Sequence, residues 1–254
     1  MIDRSPCTGK SLAEPPAYAD PVRTDSALVL LRHGETEWAL AGRHTGRTDV
    51  GLTANGLAAA AALSPRLGLL HLGPVWVSPA RRARETATQA GLTAATIDPD
   101  LWEWDYGAYE GLTTPQIREA RPDWDLWDDG CPGGETIYQV AARADRVIAK
   151  VRAQTTGDEP DVCLVAHGHL LRILAARWLG FPADAGRYLA LSPASISVTV
   201  LSGRRRSSSA GTRPDLQKRA RSRATPRAKW LDLRSKRRET GTSQVRVAVE
   251  LMGF

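Results

Sequence analysis

Nowhere in this 254-residue chain does an apolar run reach the roughly 20 residues that a bilayer span needs, so no membrane segment is expected. The N-terminal stretch MIDRSPCTGKSLAEPP has no apolar core, so it does not read as a secretory signal. Cysteines are scarce: Cys7, Cys131 and Cys163 are scattered and form no Cys-x-x-Cys pair. That argues against a disulfide framework and a structural zinc site, and a reducing cytoplasm is the expected compartment. Aromatics are few, at 6%, beside 42% hydrophobic and 24% charged residues. This is ordinary globular composition, which excludes collagen, a coiled coil and a wholly disordered chain. No internal repeat is visible.

The net charge of +6 is unevenly spread. Residues 202–254 hold 15 Lys/Arg against 4 Asp/Glu, and the rest of the chain holds 19 against 24. A mildly acidic body therefore carries a strongly basic tail. Residues 1–25, rich in Pro, Ser, Asp and Ala without periodicity, read as a flexible leader. The body is expected over 26–201. After Leu201 the pattern stops, and 202–254 reads as a basic, disordered tail in which Val245-Arg246-Val247-Ala248-Val249 alternates weakly as a short strand.

Within the body, Ala27-Leu28-Val29-Leu30-Leu31, Pro74-Val75-Trp76-Val77 and Val162-Cys163-Leu164-Val165-Ala166 are continuous apolar runs suited to strands buried on both faces. Helical patterns follow each. Pro79 suits a first helical position before a helix over 80–91, and Pro65 should break the Ala-rich helix over 53–70. Ile137, Val140, Ala141, Ala144, Val147, Ile148 and Val151 form an amphipathic stripe, and Leu170, Leu171, Leu174 and Trp178 share another face. Strands alternating with helices predict an α/β fold, a three-layer sandwich whose mostly parallel central sheet has helices on both faces. Stretches 92–99 and 181–194 leave the strand order open.

The chemistry sits at the strand ends. Arg32-His33-Gly34 closes the first run, Ser78 precedes Arg81, Arg82 and Arg84, and His167-Gly168 closes the third. Ligands of open parallel sheets bind beyond the carboxyl ends of the strands, so these residues converge. Two histidines among arginines make a poor metal site, because arginines repel a cation. Their forked donors match phosphate oxygens. The chemistry suggested is phosphoryl transfer with a histidine nucleophile. Taken singly, each motif has a blander reading as a surface Arg-His pair, a turn or a solvated basic helix face. Their joint position at three strand ends favours the site.

These residues, with the segments between them, resemble the histidine phosphatase superfamily of phosphoglycerate-mutase-like proteins. Arg32-His33-Gly34-Glu35-Thr36 resembles its signature, and Ser78-Pro79-Ala80-Arg81-Arg82-Ala83-Arg84-Glu85-Thr86-Ala87 its second motif. Val165-Ala166-His167-Gly168 with Leu171-Arg172 resembles the third. Leu101-Trp102-Glu103-Trp104-Asp105-Tyr106-Gly107 with Ala108-Tyr109-Glu110-Gly111 resembles the acid segment, and Gly42-Arg43-His44-Thr45-Gly46-Arg47-Thr48-Asp49 the substrate-facing loop. The resemblance implies that His33 attacks phosphorus as a neutral imidazole and forms a phosphohistidine. It implies that Arg32, Arg82 and His167 hold the phosphoryl oxygens and that Glu103 is the proton donor. Thr45, Gly46, Tyr106 and Gly168 join them as substrate contacts. No metal and no cofactor are implied.

Arg81 and Arg84 are expected to face solvent, Tyr109 and Glu110 to shape a loop, and His44 and His169 to flank the pocket. Trp102, Trp104, Trp124 and Trp127 read as local packing, with a substrate-shaping wall as the alternative. In the mutases of this family, a lysine after the acid loop and an inserted arginine pair hold the rest of the glycerate. No lysine occurs here between Lys10 and Lys150. The resemblance therefore favours a phosphomonoesterase of the acid phosphatase type over a mutase. It lies nearest the branch of mycobacterial acid phosphatases and sedoheptulose-bisphosphatases, with small phosphomonoesters, sugar phosphates among them, as substrates. A homodimer is compatible with this reading. The basic tail suggests a nucleic-acid or acidic-partner binder as the competing class, but it lacks aromatic interleaving and any nucleic-acid module.

Overall fold

The computed structural model describes residues 27–154, 160–201, 229–234 and 244–249. The three apolar runs are strands β1 (Ala27–Arg32), β2 (Leu72–Val77) and β4 (Asp161–Ala166). The remaining strands are β3 (Thr96–Ile97), β5 (Ile196–Leu201), β6 (Lys229–Arg234) and β7 (Gln244–Val249). They form one sheet in the order β3-β2-β4-β1-β5-β7-β6. β3, β2, β4 and β1 run parallel, while β5 is antiparallel to β1 and the pair β7-β6 continues antiparallel beyond it. The short strand read over 245–249 falls in β7, and β6 also lies within the stretch read as a disordered tail; residues 1–26, 202–228, 235–243 and 250–254 lie outside the described residues.

The helices are α1 (Glu37–Leu40), α2 (Ala54–Ala61), α3 (Ser64–Leu67), α4 (Arg81–Gln89), α5 (Thr114–Ala120), α6 (Leu126–Asp129), α7 (Ile137–Gln154) and α8 (Gly168–Trp178). Pro65 stands in the first turn of α3, just past the break after α2. Pro79 lies before the Ala80 cap of α4 rather than at its first helical position, which Arg81 takes. Stretch 181–194 holds a 3-10 segment, Ala183–Tyr188, and no strand.

Strand alternation divides the core between the two faces of the sheet. Leu28, Leu30, Trp76, Val162, Leu164 and Ala166 pack with α7, α8 and the Leu101–Trp104 loop. Val29, Leu31, Val77, Cys163 and Val165 pack with Leu63, Leu67, Ala83 and Ala87. All six residues of β4 are buried, as its continuous apolar run requires. Pro74, which has no N–H to donate, sits at a register shift between Leu72 and Val75, where β3 is not yet paired to β2.

β1 and β4 are neighbours, with Arg32 opposite Ala166. Their carboxyl ends therefore deliver His33 and His167 side by side, and β2 delivers Ser78 next to them. Backbone bonds hold the ends of β1 and β2: His33 N donates to Ala166 O at 2.9 Å, Ser78 N to Val165 O at 2.9 Å and Arg32 N to Ser195 O at 3.2 Å.

Candidate active site

His33 and Glu103 line a cleft of about 530 Å³ beyond these strand ends. Arg32, His44, Thr45, Tyr106, Gly168 and His169 line it too. The His33 ring is 6% exposed. Its Nδ1 lies 2.7 Å from the carbonyl of Gly34. A carbonyl only accepts, so the neutral ring carries its hydrogen on Nδ1 and keeps a lone pair on Nε2. Burial, then the positive charges of Arg82 and Arg32, hold the His33 pKa well below the usual histidine range. The ring is thus held neutral near pH 7, with the Nε2 lone pair uncommitted by that bond.

Glycine follows His33 for want of space. A Cβ on Gly34 would stand 2.7 Å from the Gly56 carbonyl oxygen. Gly34 N donates to Thr86 Oγ1 at 2.9 Å, and that hydroxyl donates to Arg82 O at 2.7 Å, which ties the turn to α4.

Arg82 and His167 are fully buried, and neither lines the cleft. The two histidine rings meet edge to face, 5.2 Å between centroids. Arg82 Nε donates to His167 Nδ1 at 3.2 Å, so His167 carries its hydrogen on Nε2 and donates to Ser78 Oγ at 2.7 Å. Arg82 Nη1 and Nη2 donate to the carbonyls of Thr48, Thr45 and Gly46. Glu110 holds the same loop by its amides, accepting from Gly46 N and Thr48 N at 2.9 to 3.0 Å. Gly46 N–H is therefore engaged by Glu110, and Gly46 does not line the cleft, while Thr45 does. Arg81 and Arg84 are exposed, as expected.

Arg32 reaches the cleft from the end of β1. Its Nη1 donates to the carbonyl of Leu191, and its Nε is buried without a hydrogen-bond partner among the described residues. Glu103 is 5% exposed. Its carboxylate accepts from Trp104 N at 2.9 Å, Leu170 N at 2.8 Å and His169 N at 3.0 Å, so the first turn of α8 orients it. Asp105 points elsewhere: it accepts from Gly107 N and faces Arg47 at 3.5 Å. Tyr106 hydroxyl meets His169 Nδ1 at 2.7 Å, and burial holds the phenol well above its usual range.

None of the four tryptophans lines this cleft. Trp104 and Trp124 are buried, which supports the packing role. Trp124 and Trp127 border a neighbouring cavity of about 130 Å³ that shares His44 and His169 with the cleft. Cys131 and Cys163 are both pushed up to about 12, chiefly by burial, so neither is a thiolate nucleophile near neutral pH. Among the described residues no three His, Cys, Asp or Glu side chains group as a metal site. No helix among them is long and apolar enough to cross a membrane.

Sequence reasoning missed four contributors. Arg143, on the buried face of α7, pairs with Glu135 at 2.7 Å and donates to the carbonyls of Asp100, Trp102 and, at 3.4 Å, Glu103. It braces the loop that carries Glu103. Arg43, Arg172 and Arg187 line the cleft. Arg43 and Arg172 appeared only as parts of motifs.

The site is thus an α/β strand-end cleft with a neutral histidine, a carboxylate and an excess of arginine, an arrangement suited to anionic esters. The model of the histidine phosphatase superfamily (branch 1) matches residues 28–210, and the chain belongs to that superfamily and is a phosphatase. An acid phosphatase of Mycobacterium tuberculosis is 47% identical over 173 residues, 67% of this chain and 84% of the relative. The sedoheptulose 1,7-bisphosphatase of Saccharomyces cerevisiae is 35% identical over 181 residues, 60% of this chain and 67% of the relative. The solved structure of a Mycobacterium tuberculosis open reading frame superposes with a TM-score of 0.67 at 46% identity, covering 70% of this chain and 92% of that one.

Proposed function

We propose that this phosphatase hydrolyses small phosphomonoesters, sugar phosphates among them, through a phosphohistidine on His33. The observation that carries the reading is the Nδ1 contact to Gly34 O, which leaves Nε2 with a lone pair at the wall of a cleft shared with Arg32 and Glu103. Nε2 attacks phosphorus, a P–N bond forms and the P–O ester bond breaks. Glu103 gives its proton to the leaving oxygen. Water then attacks the phosphohistidine, Glu103 takes a proton from it, the P–N bond breaks and inorganic phosphate leaves. The Nδ1–H stays on Gly34 O throughout, where a carbonyl meets the positive charge that the ring gains.

Arg32 faces the phosphoryl oxygens and stabilises their charge. Arg82 and His167 act from outside the cleft lining, Arg82 by its positive charge and His167 by fixing the site next to Ser78. Gly168, at the first turn of α8, adds the positive end of an eleven-residue helix. Relatives named acid phosphatase and sedoheptulose 1,7-bisphosphatase support the substrate class.

The test is hydrolysis of para-nitrophenyl phosphate with chelator present, from pH 4 to 8, by wild type and His33→Ala. Turnover by the wild type and a loss of about 10³-fold or more in the variant are expected. A folded His33→Ala protein that keeps wild-type turnover would refute the nucleophile.

A further inference from the structure

The carboxylate of Glu103 is held from α8, by the amides of His169 and Leu170. Its main chain is held from elsewhere, by a pair that the chemistry at His33 does not use. Arg143 of α7 and Glu135, just before that helix, are nearly buried, and neither lines the cleft.

An arginine has five N–H donors, and here each meets an acceptor. Nε and Nη2 donate to the two carboxylate oxygens of Glu135 at 2.7 Å. Nη1 donates to Asp100 O at 2.8 Å and Trp102 O at 2.9 Å, and Nη2 also to Glu103 O at 3.4 Å. Glu135 grips the residues that follow. Its carboxylate accepts from Asp105 N at 3.0 Å, its N–H donates to Asp105 O at 2.9 Å, and its carbonyl accepts from Trp104 Nε1 at 2.8 Å. Gly134 packs against the same loop, where a Cβ would stand 2.2 Å from Asp105 O. Every residue from Trp102 to Asp105 is thus tied to one member of the pair.

Stability alone is a poor reason for such a pair. Arg143 is one of the buried residues of α7, among Val140, Ala144 and Val147. Apolar side chains of similar volume in place of a buried ion pair are often neutral or stabilising. They cannot, however, aim donors at successive peptide groups of a loop. A general acid must lie within hydrogen-bond reach of the oxygen it protonates, and an error of about 1 Å costs on the order of 10²-fold.

We propose that Arg143 and Glu135 are positioning residues that hold Glu103 at the leaving-group oxygen. The proposal rests on the phosphatase reading, with Glu103 as the acid. The pair acts through the main chain of residues 100–105. Its loss therefore falls on the transfer of the Glu103 proton to the ester oxygen as the P–O bond breaks. Esters whose leaving group departs without a proton are spared.

The test compares kcat/KM for glycerol 2-phosphate, a poor leaving group, with kcat/KM for para-nitrophenyl phosphate, a good one. This parameter ends at departure of the leaving group, so the later attack of water does not enter it. In Glu135→Gln the ratio of the first to the second should fall about tenfold or more. Arg143→Lys, which keeps the charge and three donors, should lose less of the ratio than Arg143→Met. In Arg143→Met with Glu135→Gln, stability should recover relative to Arg143→Met while the ratio stays low. Removing the stranded charge does not restore the bonds to the loop. Ratios at the wild-type level in Glu135→Gln and in the double variant, both folded, overturn the positioning role, as does an equal loss on both substrates. Should either variant fail to fold, Arg143→Lys carries the same comparison. Wild type that hydrolyses neither ester overturns the phosphatase reading itself. Equal losses on both esters in Glu103→Gln overturn the acid, and the positioning role with it.

Discussion

Removing Arg143 should unfold the protein far more readily than its place on a helix suggests. Its guanidinium faces Glu135 at 2.7 Å through two nitrogens, and the two side chains are only 10% and 16% exposed. It also serves the carbonyls of Asp100 and Trp102 at 2.8 and 2.9 Å. Arg143→Met leaves a nearly buried carboxylate without its cation and two carbonyls without a donor. Breaking a buried pair from one side costs about 3–5 kcal/mol. With a urea slope of roughly 2 kcal/mol per M, the unfolding midpoint should fall by about 1.5–2.5 M. Tryptophan fluorescence in urea reads the transition, because Trp102 and Trp104 ride on the braced loop. Adding Glu135→Gln removes the stranded charge, so the double variant should be more stable than Arg143→Met. A midpoint shift under about 0.5 M for Arg143→Met would refute the reasoning, since the pair would then behave as a surface pair.

Other outcomes follow from the same geometry. Glu103→Gln should lower kcat by about 10²- to 10⁴-fold on alkyl phosphates and much less on para-nitrophenyl phosphate, whose leaving group needs no proton; equal losses on both would remove Glu103 from the acid role. Burial first, then neighbouring cations, hold His33, His167 and His169 well below the usual range. Unfolded histidines protonate near pH 6.5 while these stay neutral, so stability should be full above that pH and fall below it by up to about 1.4 kcal/mol per pH unit for each ring. A melting temperature flat from pH 8 to 5 would contradict this. Gly34→Ala should cost about 1–3 kcal/mol, because the Gly56 carbonyl is backbone and gives way poorly; an unchanged denaturation midpoint would show that the turn relaxes freely.

The strands that carry the chemistry were legible because burial on both faces writes itself as an unbroken apolar run. β1, β2 and β4 follow that rule, and His33, Ser78 and His167 were placed by it. Glu103, Tyr106 and Gly168 were found by resemblance, and the structure puts all three on the cleft. Position within the site was less legible. Arg82 and His167, read as phosphoryl-oxygen contacts, also bond to each other, to Ser78 and to loop carbonyls. Those are contacts across 34 to 89 residues, which no local pattern encodes. Arg187 comes from a 3-10 segment with no hydrophobic period to mark it. Arg143 did leave a signal. It lies three residues after Val140 and four before Val147, so it sits on the apolar stripe of α7, where an arginine must find a buried partner.

The pairing of β1 with β4 and β5 has a consequence for synthesis. β1 leaves the ribosome first, but its parallel neighbour β4 begins at Asp161 and its other neighbour at Ile196. At about 5–20 residues per second, Leu28 to Leu31 wait roughly 7–27 s for a first partner. During that time the strand is an uncovered apolar edge, open to pairing with other nascent chains. Slower translation prolongs the exposure, and lower temperature weakens the hydrophobic attraction that makes it hazardous. Yield of soluble protein should therefore depend on chaperone supply early in the chain, long before α8 completes the cleft.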